Sequence, residues 1–136
     1  MEHQTALCAE KPRRNSTGRE VKSWLYGELD RLAALPPGWD REGADPMDPA
    51  IVTAARQLVA ALPDDTLGTP AVVPIADGNL QLEWNDGPRS LELEIADPRT
   101  IHYLKWLPEE GIEEENFFSI DDVGRAVSLI RWFHEG

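Results

Sequence analysis

The sequence predicts an α+β domain in two layers: two N-terminal helices, an antiparallel meander of three to four strands, and one C-terminal helix. Three observations predict it. Apolar residues recur every three to four positions near both ends, each run preceded by a capping residue. From Pro70 to Trp106 the period drops to two. The strand-like runs are joined by turns too short for a crossover, which forces antiparallel pairing.

The first helix opens at Thr17-Gly18-Arg19-Glu20, a hydroxyl at the cap with a carboxylate three residues on. Val21, Leu25, Leu29 and Leu32 form its stripe, and it stops near Ala34, before Pro36-Pro37. Residues 36–49 are turn chemistry throughout. Within them Trp39 is the group whose burial pins the loop, Asp40 is placed to cap backbone amides, and Gly38 and Gly43 permit conformations closed to other residues. Asp48-Pro49 reads as a cap with proline at the first helical position. Ile51, Ala55, Leu58 and Leu62 supply the second stripe.

Ala71–Ile75 is apolar but carries Pro74, which suits an edge strand. Asp77-Gly78 turns the chain. Leu80, Leu82 and Trp84 then alternate with Gln81 and Glu83. After Asn85-Asp86-Gly87-Pro88, Leu91, Leu93 and Ile95 alternate with Glu92 and Glu94. Pairing Trp84 with Arg89, Leu82 with Leu91 and Leu80 with Leu93 puts every Leu on one face, to be covered by the helices. The opposite face, with Glu83, Glu92 and Glu94, is acidic and wet. Asp97-Pro98 precedes the last expected strand, Thr100–Trp106. There Ile101, Tyr103 and Lys105 take one face and His102, Leu104 and Trp106 the other, with either set free to point inward. Residues 108–122 carry seven acids and read as a loop. Ser119 is the expected cap of the final helix, with Val123, Val127, Ile130 and Phe133 as its stripe and Ala126 beside them.

Across 136 residues the formal net charge is −12, unevenly placed. Residues 1–22 hold five basic and three acidic groups, so the remainder carries −14. Residues 1–16 show no apolar period and read as a flexible basic tail ahead of a single domain at 17–136. Its few basic groups are a small footprint for phosphate contact. The acidic body argues against coating a nucleic-acid backbone. No stretch is apolar enough to span a membrane and none has the order of a secretory signal, so a cytoplasmic location is expected. The one cysteine, Cys8, leaves no internal disulfide and no Cys-rich zinc site.

Chemistry-bearing motifs are scarce. No Gly-rich phosphate loop, HExxH, GxSxG or Cys-x-x-Cys occurs. His3, His102 and His134 have no ligand spacing. The loop at 40–45 has oxygen ligands near a glycine, but it lacks the order and the closing Glu of an EF-hand. No metal or other cofactor and no catalytic residue is therefore expected. His102 paired with a carboxylate is the alternative, that of a small enzyme. Five tryptophans are many for this length. Trp39 and Trp84 are expected in the core. Trp24, Trp106 and Trp132 lie off the main stripes, and one or two of them are expected at the surface, as at interfaces.

The segment Gly38-Trp39-Asp40-Arg41-Glu42-Gly43-Ala44, then Pro46, a helix and Leu82-Glu83-Trp84, resembles small uncharacterised bacterial proteins. Those carry a Gly-Trp-Asp-Gly-x-Gly-Ala loop and a later Leu-Glu-Trp strand. The resemblance covers residues 36–106 and departs at Arg41, where the pattern often has glycine. It implies a bacterial accessory protein and transfers no functional residue.

The reading that gathers these features is a non-enzymatic, acidic protein-binding module of bacterial or phage origin. Its partner is a basic protein: a toxin, a nuclease or a nucleic-acid-binding complex. An antitoxin, an immunity protein and an anti-defence (anti-CRISPR-like) inhibitor that mimics phosphates are its concrete forms. The expected contact residues are Glu83, Glu92, Glu94, Trp106, Glu109, Glu110, Glu113, Glu114, Glu115 and Trp132. A homo-oligomer built through Ala71–Ile75 or the Trp132-Phe133 surface is a third reading.

Overall fold

The computed structural model describes residues 11–13 and 16–135. Most of the expected tail, with Cys8, lies outside them. Helix α1 spans Gly18–Ala33 and α2 spans Pro49–Ala61. Five strands follow: β1 Ala71–Pro74, β2 Leu80–Asn85, β3 Ser90–Asp97, β4 Thr100–Leu107 and β5 Ile112–Ser119. A single turn of 3₁₀ helix, Pro108–Glu110, joins the last two, and α3 spans Val123–His134. The sheet is an antiparallel meander in the order β1-β2-β3-β4-β5.

Local chemistry sets the helix starts. The Thr17 hydroxyl accepts from the Glu20 amide at 3.1 Å, and the Glu20 carboxylate accepts from the Thr17 amide at 2.7 Å. Asp48 accepts from the Ala50 amide, ahead of Pro49. The α1 and α2 stripes are buried as expected, Val21, Leu25, Leu29, Leu32 against Ile51, Ala55, Leu58 and Leu62. The last helix differs. Its cap is Asp122, which accepts from the Arg125 amide, whereas the Ser119 hydroxyl accepts from Asp121 one turn earlier. Ala126, Leu129 and Ile130 are its buried residues, and Val123, Val127 and Phe133 pack at the margin.

The β2–β3 hairpin keeps the expected faces with a different register. Trp84 pairs with Leu91, Leu82 with Leu93 and Leu80 with Ile95. A slip of two residues leaves each side chain on its own face. It also brings Ile95 opposite Leu80 and releases Arg89 into the turn, where its guanidinium lies 4.9 Å from the Trp132 ring. Leu80, Leu82, Trp84, Leu91, Leu93, Ile95, Ile101 and Tyr103 face the helices and are buried. The Trp84 indole N–H donates to the Leu67 carbonyl at 2.6 Å, so the largest core side chain leaves no polar atom unmatched there.

The sharpest departure from expectation is the acidic run. Residues 112–119 form a full fifth strand, not a loop. Gly111, at φ 68°, closes the turn that returns the chain onto β4.

Candidate functional surface

The loop before α2 is built as a clasp. The Asp40 carboxylate accepts from the amides of Glu42 and Ala44, at 2.8 and 3.0 Å, which holds its carboxyl below the usual carboxylate range. Trp39, half-buried on the core, donates from its indole to the Asp45 carbonyl at 2.7 Å. The Asp45 and Asp48 amides in turn donate to the Ala76 and Gly78 carbonyls of the β1–β2 turn. Asp40 thus spends its oxygen on local backbone, in a structural role. Among the described residues no group of three or more His, Cys, Asp or Glu is placed to hold a metal ion.

All three helices pack on one face of the sheet or on one another, and among the described residues the other face carries none. The side chains of this open face form rows across the strands. One row runs Ala71, Glu83, Glu92, Leu104, Glu115. The next runs Val73, Gln81, Glu94, His102, Phe117, and a third runs Asn85, Ser90, Trp106, Glu113. Glu83 and Glu92 stand directly opposite, a like-charge pairing that disfavours the sheet. Burial raises the Glu92 carboxyl above its ordinary value, and the charges of Glu83, Glu94 and Glu115 push the same way. Asn79 and Gln81 donate to Glu94 and Glu83 respectively.

Two large aromatics stand exposed on this face, Phe117 at 66% and Trp106 at 45%. The Phe117 ring lies 5.7 Å from that of His102. Glu109 and Glu110 extend the acidic surface into the turn just beyond Trp106 and Glu113. The open face therefore gathers Glu83, Glu92, Glu94, Trp106, Glu113 and Glu115, six of the ten expected contact residues.

The structure separates two others from them. Glu114 pairs with Lys105 on the helix side of β5, where it accepts from the Tyr103 hydroxyl. Arg125 of α3 donates to that hydroxyl at 2.7 Å. Burial and the Glu114 contact together raise the Tyr103 pKa against the opposing pull of Arg125. Trp132 is half-buried, with Arg89 and Lys105 against its ring. Both residues lie on the covered side because α3 packs there, which a strand read as a loop does not foretell.

Phe117 and Leu104 were not among the expected contact residues. Phe117 follows from the alternation Glu113, Glu115, Phe117, Ser119 once the run is read as a strand. His102 lies on the open face opposite Glu94 and Phe117. A cavity of about 680 Å³ lies elsewhere, lined by Gly68, Thr69, Trp84, Asn85, Phe133 and His134 among others, and His102 does not line it. No helix among the described residues is long and apolar enough to cross a membrane. No protein-family model matches the chain, and no curated protein or solved structure matches it either.

Proposed function

We propose that this chain is a non-enzymatic protein-binding module whose open sheet face docks on a basic partner and thereby inhibits or neutralises it. A single observation carries the reading. Among the described residues, one face of a five-stranded sheet is left without a helix, and it bears five glutamates around two exposed aromatic rings. Folding alone gives no reason for that arrangement. Glu83 opposes Glu92 at a cost in stability, and Phe117 leaves most of its ring in water. A cationic partner removes both costs at once, pairing the carboxylates and covering the rings. Opposite charge also speeds encounter and rejects wrong partners. A toxin, a nuclease or a nucleic-acid-binding complex of bacterial or phage origin fits this chemistry, with the glutamates standing where phosphates would lie.

The test is a pull-down from the native host at low salt with two baits, the wild-type chain and Glu113→Lys/Glu115→Lys. The reading expects a basic protein on the first bait and its loss from the second. A catch indifferent to the two substitutions contradicts it.

A further inference from the structure

The free edge of β5 offers the backbone as well as the side chains. The Ile120 amide donates to the Arg99 carbonyl at 2.9 Å, and the register continues from Thr100 opposite Ser119. In an antiparallel ladder, residues alternate between facing the neighbouring strand and facing away. Residues 112, 114, 116 and 118 therefore turn their N–H and C=O groups toward β4, and Glu113, Glu115 and Phe117 turn theirs to the outer side. The Phe117 amide agrees, since it donates to its neighbour's side chain, Asn116 Oδ1, at 2.9 Å. No strand lies beyond β5 among the described residues. The opposite edge differs: β1 has four residues, ends in Pro74, and is contacted by α1.

We infer that the partner binds by strand addition: an extended basic segment pairs antiparallel with β5 as a sixth strand. The inference rests on the basic-partner reading above and names how that partner is held. Exposed edges are normally closed by charge, bulges or proline because they recruit further chains. Here Glu113, Glu114 and Glu115 do this selectively. A second copy laid antiparallel about Glu114 or Glu115 sets glutamate against glutamate, which repels. A segment with Lys or Arg at alternate positions meets the same residues with attraction. The pairing also fixes which of its side chains go where. Residues whose amides point at β5 share the face of Glu113, Glu115 and Phe117, so the basic side chains belong to those residues. Main-chain bonds then supply affinity and the alternate side chains specificity.

The probe is the labelled peptide Lys-Thr-Arg-Val-Lys-Thr-Arg, titrated into the full chain at low salt and followed by fluorescence anisotropy. Two derivatives carry three backbone N-methyl groups each, on Lys/Arg amides in one and on the Thr/Val amides in the other. Strand addition predicts that methylation of the Lys/Arg amides weakens binding by about tenfold or more, from lost ladder bonds. Methylation of the Thr/Val amides leaves it within about twofold, since those amides face outward. Equal binding of the two derivatives overturns the inference, as does a parent peptide that does not bind. The Glu113→Lys/Glu115→Lys chain separates the two readings. If it binds the parent peptide as well as wild type does while the methylation pattern persists, strand addition stands and charge-led recognition falls.

Discussion

Arg41 sits at φ 66°, the one non-glycine in the left-handed region among the described residues, between Gly38 at 74° and Gly43 at 87°. An L side chain is disfavoured there by contact of its Cβ with the backbone. Glycine, with no Cβ, enters this region without that contact. Arg41→Gly is expected to stabilise the fold by about 1 kcal/mol, the relieved strain less the unfolded-state entropy of glycine. Thermal unfolding checks it, with a rise of about 3–5 °C. Glu92 carries the opposite kind of strain, electrostatic and tied to the surface proposed for binding. Its folded pKa is raised, so its contribution to stability is full below the unfolded pKa and is lost as pH rises through the folded value. Glu92→Gln therefore stabilises at neutral pH, by up to about 0.5 kcal/mol for a surface site. The gain disappears in melts at pH 4 and below, where wild-type Glu92 is itself protonated. Asp40 has the reverse sign. Its lowered pKa lends stability above the unfolded carboxylate pKa, and that stability is lost as pH falls through the folded value.

At the scale of elements, much of the fold was legible because the signals were local. The capping box at Thr17, the Asp48-Pro49 start and the β2–β3 alternation each fix a backbone state within four residues, and each is present. Legibility fails where several backbone states satisfy one local pattern. Two hairpin registers bury the same Leu face, and only the packing of Ile95 against Leu80 and the placement of Arg89 over Trp132 distinguish them. β5 was hidden for another reason. Its charges occupy both faces, Glu113 and Glu115 on one and Glu114 on the other, so no hydrophobic alternation marks it. It is held instead by β4 and by the Tyr103–Glu114–Arg125 cluster that ties it to α3. Arg125→Ala is accordingly expected to cost about 0.5–1.5 kcal/mol, the net worth of such a bond, and to speed hydrogen exchange in β5 more than in β2 and β3. In the core, Trp84→Phe strips the Leu67 carbonyl of its buried donor. A loss of about 1–3 kcal/mol, read as a lower urea midpoint, is the expected result.

For the molecule as a whole, five glutamates share one face of the sheet. The helices and the inner sheet face build an apolar core, and the outer face collects glutamates and two exposed rings. That acidic face is legible in the sequence through Glu83, Glu92 and Glu94, but its extension to Phe117 is not, because charges on both faces of residues 112–119 erase the alternation that marks a strand. The docking proposed for this face is led by charge. Its most direct test is the dissociation constant of the captured partner, measured from low to high salt. Screening shortens the reach of surface charge from about 10 Å at 0.1 M to about 3 Å at 1 M, so affinity should fall by roughly tenfold or more across that range. An affinity that stays flat would contradict the claim.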